Sequence, residues 1–316
     1  MHAWQEPLGN LPEALRARFA EIGAVWGQDI DAHRDWVIDT YTPLVAARAA
    51  TDLGCEIERD IPYGPDARQR LDVFVQHATR QGAPADVVLF VHGGAFVRGR
   101  KSINGLIYDN VPRWFARHGY VAVNVEYRLA PDAPYPAGAQ DIAAALDWTR
   151  AHIASYGGHP GRIFIVGHSA GGAQVATYLG DPLLDARRGE RVAGAVLISA
   201  RLAADTLPDN PNAAGVRAYF GDDPSRYAAR SPLAYAERID APLMIVVAEY
   251  ENPYLDAYGA AFFERVARAR QRERRPGRAP RFMQMPRHNH TSVVAHFDSG
   301  ETLLGDAMLD FFSAFA

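Results

Sequence analysis

The sequence predicts an α/β protein with a mostly parallel central sheet that helices cover on both faces. The first observation is a regular alternation, because short runs rich in Val and Ile take turns with helical patterns from residue 86 onwards. Strands joined by helices in this way pair in parallel and bury both faces of their sheet. The second observation is the segment around Ser169, where a strand pattern, a serine between glycines and a helix pattern follow one another. At 316 residues, the chain is long enough to bury a substantial core.

The strands and helices can be placed along the chain from these patterns. Strand patterns at residues 55–61 and 70–75 flank the turn Tyr63–Asp66, which predicts an antiparallel hairpin before the parallel part of the sheet. The excursion 201–235 is rich in Pro, Asp and Asn, and we expect it to be an insertion that lies over the top of the sheet. Further strands are predicted at 86–91, 120–125, 162–166, 193–199, 243–248 and 281–285, and helices at 107–117, 139–153, 253–270 and 302–315.

Two helical patterns precede the first strand and lie outside this alternation. The first begins near Asn10, where Glu13 three residues later predicts a capping box. The apolar faces of the two helices are formed by Leu11, Leu15, Phe19 and Ile22 and by Ile30, Val37, Tyr41, Leu44 and Val45. These helices could simply pack on the body or could cover a pocket. Because the chain also carries the glycine-flanked Ser169, we interpret residues 1–50 as an N-terminal helical cap and 51–316 as the catalytic domain of a single structural unit.

Ser169 is the candidate nucleophile. The strand pattern 162–166 leads into the run Gly167–Gly171, and a helix pattern follows at 173–179. This is the G-x-S-x-G nucleophile elbow, in which a strained backbone projects the serine hydroxyl from a sharp strand-to-helix turn. Side chains at the two flanking positions would collide with the crossing strand and helix, so glycine is required there.

A second motif, the run His92–Phe96, follows the predicted strand that ends at residue 91. Hydrolysis of an ester or amide by a serine passes through a tetrahedral oxyanion, which backbone N–H groups can stabilise. Adjacent glycines let the backbone approach a ligand closely. We therefore predict an oxyanion hole formed by Gly93, Gly94 and Ala170, the last being the residue after the nucleophile. We interpret His92 itself as structural.

In a serine hydrolase with a nucleophile elbow, the catalytic residues follow one another along the chain in the order Ser, acid, His. The acid and the base lie on loops after later strands. The strand predicted at 243–248 is followed by a short loop, and the dipeptide Asn252–Pro253 has the pattern of an N-cap and a first helical residue. Glu251 lies in that loop and is the predicted acid. Glu249 lies closer to the strand end, and Asp256 lies inside the predicted helix, so both are weaker candidates.

The base is expected in the loop after the strand predicted at 281–285, which contains both His288 and His290. From position alone, either imidazole could take the proton of the serine. The His-x-His spacing is also compatible with a metal site in which His296 is a third ligand. However, no cysteine or carboxylate cluster accompanies these residues. We therefore predict that the chain binds no metal ion here.

These motifs together resemble two related groups of enzymes, over roughly residues 55–316. The hormone-sensitive-lipase-like esterase family of α/β-hydrolases is similar in four segments, His92–Phe96, Tyr127–Pro131, Pro134–Ala137 and Gly167–Gly172. The arylformamidase (kynurenine formamidase) group is similar in three others, Tyr63–Gly64, Arg70–Phe74 and His288–His290.

The resemblance implies the α/β-hydrolase fold and a serine carboxylester hydrolase without a cofactor. Comparison with the arylformamidase pattern favours His290 over His288 as the base. The sequence departs from the esterases at Glu126 and at Glu251, where they usually carry Asp. We interpret Glu126 as structural. Glutamate is chemically acceptable at position 251, because the acid only orients and stabilises the imidazole.

The predicted function is hydrolysis of short-acyl or aryl esters through an acyl-enzyme intermediate. Ser169 attacks the carbonyl carbon, His290 moves the proton, Glu251 orients His290, and water releases the acid. The alternatives are an arylformamidase or other amidase, and a ligand-binding receptor on the same fold, similar to plant gibberellin receptors. Those receptors lack the catalytic histidine, whereas this loop offers two.

Composition limits the partners of the chain. Its net charge of −4 indicates no dedicated nucleic-acid partner, and its single cysteine, Cys55, cannot form an internal disulfide. No apolar stretch approaches the ~18 residues of a membrane span. The first residues lack a basic region followed by an apolar one, so we expect no signal peptide and a cytoplasmic location. The expected partner is a small-molecule ester, and the oligomeric state, including a homodimer, stays open.

Overall fold

The alternating strands form one eight-stranded sheet in the computed structural model, which describes residues 6–184, 192–273 and 279–315. The strands are β1 (Cys55–Pro62), β2 (Arg70–Gln76), β3 (Ala85–Val91), β4 (Val121–Val125), β5 (Gly158–His168), β6 (Gly194–Ile198), β7 (Leu243–Tyr250) and β8 (Arg281–Asn289). Their order in the sheet is β1-β2-β4-β3-β5-β6-β7-β8. The hairpin of β1 and β2 is antiparallel, β2 pairs antiparallel with β4, and all other neighbours are parallel. The predicted mostly parallel sheet is confirmed.

The described helices follow the predicted order, with several short additions. They are α1 (Glu13–Ala24), α2 (Ile30–Ala50), α3 (His77–Arg80), α4 (Asn110–Arg117), α5 (Ala137–His152), α6 (Ala170–Gly180), α7 (Ala213–Phe220), α8 (Tyr227–Arg230), α9 (Leu255–Arg272), α10 (Ser292–Ala295) and α11 (Leu303–Ser313). None of the helices in the described part of the chain combines the length and the apolarity needed to cross a bilayer.

Alternate residues of the strands enter two separate hydrophobic cores, one on each face of the sheet. In β3, Val87 and Leu89 pack into the core that α5, α6 and α9 cover, whereas Val88 and Phe90 pack into the core covered by α4 and α11. This alternation follows from the two-residue period of a strand. Helices therefore cover both faces, as the sequence predicted.

The N-terminal helices form with the predicted apolar faces, but α1 lacks the capping box predicted at its N-terminus. Pro12 is the N-cap residue of α1 and makes no side-chain capping bond. The side chain of Asn10 instead donates to the carbonyl and the hydroxyl of Ser299, at 3.2 and 3.0 Å. The prediction of a capping box at Asn10 is therefore wrong, because Ser299 binds the side-chain amide that would have capped the helix.

The excursion 201–235 is held on the body by aromatic and polar contacts. The ring of Tyr219 in α7 stacks on Phe96 with ring centroids 4.5 Å apart, next to the glycine loop after β3. The hydroxyl of Tyr258 in α9 donates to Asp205 at 3.0 Å. The excursion thus lies beside the loops that follow the carboxyl ends of the parallel strands.

Candidate active site

Ser169 lies in the sharp turn between β5 and α6, with φ 55° and ψ −118°. A Cβ atom at Gly167 would lie 2.7 Å from the Cα atom of Gly172, and one at Gly171 would lie 2.4 Å from the carbonyl oxygen of His92. These distances are too short for any side chain, which is why the motif requires glycine on both sides of the serine. The helix begins at Ala170, directly after the serine, and so earlier than the sequence pattern indicated.

The register of the sheet brings the other candidate residues to the same edge. β3 and β5 are parallel neighbours with Val91 paired to Gly167, so the glycine loop and the elbow leave the sheet side by side. β7 and β8 are also neighbours, and Tyr250 pairs with Asn289. Glu251 follows Tyr250, and His290 follows Asn289. The pairing of these two strand ends therefore explains how Glu251 and His290 meet although they are far apart in sequence.

Ser169, His290 and Glu251 form a continuous hydrogen-bonded series. Nε2 of His290 lies 3.0 Å from Oγ of Ser169, and Nδ1 of His290 lies 2.8 Å from Oε2 of Glu251. The side chains of His290 and Glu251 are only 10% and 3% exposed, so water competes little for these bonds. In this geometry a neutral imidazole with its proton on Nδ1 can donate to the carboxylate and accept the serine proton.

The carboxylate of Glu251 is held by further donors. Its Oε1 accepts from the backbone N–H of Ala248 at 2.8 Å and from the hydroxyl of Ser199. Its Oε2 accepts from the backbone N–H of Asn252 at 3.3 Å in addition to facing His290. These donors fix the orientation of the carboxylate toward His290, where it can orient the imidazole and stabilise an imidazolium.

The other acidic candidates have different partners. Glu249 is exposed, and its Oε2 accepts from the backbone N–H of Arg287 at 2.5 Å. Asp256 is exposed in the first turn of α9. Glu249 therefore bonds the end of β7 to β8 on the exposed side, and the structure does not bring it or Asp256 to His290.

His288 is fully buried and faces away from Ser169. Its Nε2 lies 2.9 Å from Glu301, and its Nδ1 lies 3.1 Å from the hydroxyl of Ser292. Burial raises the pKa of the Glu301 carboxyl, but His288 more than offsets this effect, and the pKa falls to about 2. This pair packs beneath the loop. Within the described ranges, no group of three or more His, Cys, Asp or Glu is arranged to hold a metal ion.

The predicted N-cap of the helix after the acid loop is wrong. α9 begins at Leu255, and its N-cap residue Tyr254 has a left-handed backbone with φ 68°. Asn252 lies before that turn, and its Oδ1 accepts a hydrogen bond from the indole N–H of Trp26 at 2.8 Å. Because β7 also extends to Tyr250, the loop is shifted by two residues, to 251–254, and it contacts Trp26 between α1 and α2.

The predicted oxyanion donors in the glycine loop after β3 and at the start of α6 differ in their hydrogen bonds. The N–H of Gly93 donates to the hydroxyl of Tyr108 at 3.3 Å. Gly94 has φ 145°, and a Cβ atom there would lie 1.9 Å from the carbonyl oxygen of Arg98, so only glycine fits. Among the described residues, the N–H groups of Gly94, Ala95 and Ala170 have no hydrogen-bond acceptor. In the run Gly93–Ala95, the N–H groups without an acceptor are therefore those of Gly94 and Ala95, whereas that of Gly93 binds Tyr108.

Tyr108 and His168 link the glycine loop to the histidine loop, and sequence reasoning missed both. Burial lowers the pKa of His168 well below its usual value, so the ring is neutral. Its Nε2 lies 2.9 Å from the carbonyl oxygen of His290, which can only accept, so Nε2 carries the proton. Nδ1 then accepts from the hydroxyl of Tyr108 at 3.0 Å. The position of His168 inside the elbow motif was an available signal, whereas Tyr108 has none in its local sequence.

His92 and Glu126 support the glycine loop after β3 through contacts with neighbouring residues. The ring of His92 stacks on Tyr127 with centroids 4.3 Å apart. The carboxylate of Glu126 accepts from the backbone N–H of Lys101 at 2.8 Å and pairs with the guanidinium of Arg68. Both contacts are of the structural kind that the sequence analysis expected.

A cavity of about 570 Å³ opens above Ser169 and His290. One wall is formed by the N-terminal segment between Gly27 and Ile38, and another by the glycine loop. Ile103, Ile107 and Val294 add apolar surface. The volume suits a small organic molecule, and the N-terminal helices contribute directly to its walls.

The sheet order, the elbow and the cluster at the carboxyl ends of the strands define the α/β-hydrolase fold. Solved structures show the same fold over almost the whole chain. An esterase from the archaeon Pyrobaculum calidifontis matches with a TM-score of 0.69 and 24% identity over 97% of this chain and 99% of that one. Esterase B from Lactobacillus rhamnosis matches with a TM-score of 0.67 and 20% identity over 96% of both chains.

Sequence comparison finds relatives in the central part of the chain. The family model described as BD-FAE matches residues 71–187, which include Ser169 but end before Glu251 and His290. Esterase LipC of Mycobacterium tuberculosis is 38% identical over 114 residues, which are 36% of this chain and 27% of LipC. Esterase LipQ of the same organism is 29% identical over 222 residues, covering 64% of this chain and 51% of LipQ.

The chain therefore matches only about a quarter to a half of the length of these curated relatives. The resemblance to the hormone-sensitive-lipase-like esterases of the α/β-hydrolase superfamily is confirmed by these matches. The resemblance to the arylformamidases stays a prediction.

Proposed function

We propose that this protein is a serine carboxylester hydrolase that acts on short-acyl or aryl esters through Ser169, His290 and Glu251. The observation that carries the proposal is the pair of hydrogen-bond distances, 3.0 Å from Ser169 to His290 and 2.8 Å from His290 to Glu251. A nucleophile, a base and an orienting acid in this series are the requirements of covalent acyl transfer. The names of the curated relatives and of the matched structures, which are esterases, support the same reaction.

The reaction proceeds in two halves. Oγ of Ser169 attacks the carbonyl carbon of the ester while Nε2 of His290 takes its proton, and Glu251 stabilises the resulting imidazolium. The tetrahedral intermediate collapses when His290 returns the proton to the alkoxide of the leaving alcohol, which leaves an acyl-serine. Water then attacks the acyl-serine with His290 again acting as base, and the carboxylic acid departs.

The oxyanion of each tetrahedral intermediate is held by backbone N–H groups. We assign this role to Gly94 and Ala170, as the sequence predicted, and add Ala95. Gly93, which the sequence also predicted, supports the loop through its bond to the Tyr108 hydroxyl at 3.3 Å. The donors are already in position before the negative charge develops, because the strained backbone of the loop holds them there.

The cavity indicates the size of the substrate. Its apolar wall is formed in part by Ile38 from α2 and by Ile107, which is 1% exposed. Because α2 is packed against the body through Val37, Tyr41 and Val45, this wall is fixed and limits the length of an acyl chain. We therefore assign short-acyl and aryl esters as the substrate class.

A panel of substrates tests this function against its main alternative. The purified protein is offered p-nitrophenyl esters from acetyl to dodecanoyl and N-formyl anilides, with Ser169→Ala as the control for background hydrolysis. We expect turnover of the short esters that is absent in the variant. Faster turnover of the formyl anilides would instead support an arylformamidase, and binding without turnover of either class would support a receptor.

A further inference from the structure

The N-terminal helical segment contacts the loop that carries the acid. The indole N–H of Trp26 donates to Oδ1 of Asn252 at 2.8 Å, and both residues are 3% exposed. Next to this bond, a Cβ atom at Gly23 would lie 2.4 Å from the ring of Tyr250, so the helix approaches the loop as closely as glycine allows. Gly23 and Trp26 therefore both contact the segment Tyr250–Asn252, and the Trp26–Asn252 bond is buried.

The three residues on the loop side of this contact all act on the proposed catalytic groups. The carbonyl oxygen of Tyr250 accepts from the backbone N–H of His290 at 3.0 Å. Glu251 is the proposed acid. The backbone N–H of Asn252 donates at 3.3 Å to Oε2 of Glu251, which is the oxygen that faces Nδ1 of His290. A shift of residue 252 would therefore move a hydrogen-bond donor of the carboxylate.

We propose that Trp26 is a positioning residue for the acid Glu251, acting through Asn252, so that docking of the N-terminal segment completes the catalytic site. This inference rests on the proposed function. The bond between Trp26 and Asn252 is buried, and loss of either partner leaves a polar group unpaired, so the bond strongly favours one position of the loop. The segment therefore sets the geometry of catalysis as well as the walls of the cavity.

The experiment is a double-mutant cycle on turnover of a short p-nitrophenyl ester. Trp26→Phe keeps an aromatic ring but removes the N–H donor. Trp36→Phe is the matched control, because Trp36 belongs to the same segment and its ring packs on Phe19 with centroids 5.0 Å apart. Each substitution is made in the wild-type chain and in the Glu251→Gln background.

We expect Trp26→Phe to lower kcat about tenfold in the wild-type chain with KM within about twofold. In the Glu251→Gln background it should lower kcat by less than about twofold, because the acid through which it acts is already lost. Trp36→Phe should change kcat by less than about twofold in both backgrounds. An equal loss for Trp26→Phe in both backgrounds, or no loss in the wild-type chain, would overturn the proposal.

Melting temperatures show whether each variant is folded at the assay temperature. If Trp26→Phe is not folded there, Asn252→Ala, which removes the acceptor, replaces it in the same cycle, with the same expected result. Failure of both variants to fold would assign the contact to folding alone and would contradict the proposal. Reaction of the wild type but not Ser169→Ala with a fluorophosphonate probe separates failure of this inference from failure of the proposed function.

Discussion

Oε2 of Glu251 lies 2.8 Å from Nδ1 of His290, and the backbone N–H groups of Ala248 and Asn252 also donate to this carboxylate. A glutamate reaches the imidazole here although related esterases usually carry an aspartate. The extra methylene is accommodated because Glu251 reaches back toward the end of β7, where Ala248 binds its other oxygen.

The first prediction concerns the nucleophile. Ser169→Ala removes the attacking oxygen but keeps the elbow, so ester turnover should fall by a factor of order 10⁶ with an unchanged melting temperature. Steady-state kinetics on a p-nitrophenyl ester and thermal unfolding measure both quantities. A variant that keeps more than about a tenth of the wild-type rate would show that another group attacks the ester.

The second prediction concerns the acid. Glu251→Gln should lower kcat by roughly 10³ to 10⁴, because the imidazole loses its correct tautomer and its counter-charge. The matched control is Glu249→Gln, whose side chain binds the backbone of Arg287 and should affect kcat only mildly. The reverse order of effects would mean that the acid is Glu249.

The third prediction concerns acyl length. Activity should peak between acetyl and butyryl p-nitrophenyl esters, because a fixed wall discriminates by roughly 1–3 kcal/mol per misplaced methylene. Ile38→Ala should move the optimum to longer chains, whereas Leu44→Ala in the same helix, away from the cavity, should not. An optimum at about ten carbons or more, with a rise in rate once substrate forms an interface, would indicate a lipase instead.

The fourth prediction concerns the glycine loop. Gly94→Ala places a Cβ atom 1.9 Å from the carbonyl oxygen of Arg98 at φ 145°, so the loop must shift. We expect kcat to fall by about 10² or more through loss of oxyanion donors. Gly105→Ala is the control, because it also has positive φ, at 79°, but no atom within 4 Å of its Cβ. Equal activity of the two variants would remove Gly94 from the proposed oxyanion hole.

The fifth prediction concerns stability at acidic pH. Burial lowers the pKa of His296 from 6.5 to about 4. Between these values the unfolded chain binds a proton that the folded chain does not, so stability falls as pH drops through this window. The free energy of unfolding should lose on the order of 2 kcal/mol from this residue between pH 7 and pH 5. Urea unfolding of His296→Asn should show a smaller loss of unfolding free energy between pH 7 and pH 5 than the wild type. An equal loss would contradict the lowered pKa of His296 as the cause.

Local patterns in the chain were enough to predict most elements of the fold and the turn that carries Ser169. Periodicity predicted the alternation, and the strand-serine-helix pattern placed Ser169 in a turn that the structure shows at φ 55°. These predictions rest on local rules, because strand period, glycine requirement and turn geometry depend on a few neighbouring residues. Local rules failed at the helix starts near Asn10 and Asn252, where tertiary partners bind the side chains that would have capped the helices.

Which of the candidate side chains meet depends on the packing of the whole chain. His288 and His290 fall in one predicted loop and could not be separated by position, yet His288 lies in β8 and is buried against Glu301, while His290 follows the strand and reaches Ser169, 121 residues away. The bond from Trp26 to Asn252 spans 226 residues, and the hydroxyl of Tyr108 accepts from the N–H of Gly93, one of the predicted oxyanion donors. Such contacts depend on strand order and register, which bring distant residues to one sheet edge, and no local pattern in the chain encodes that distance.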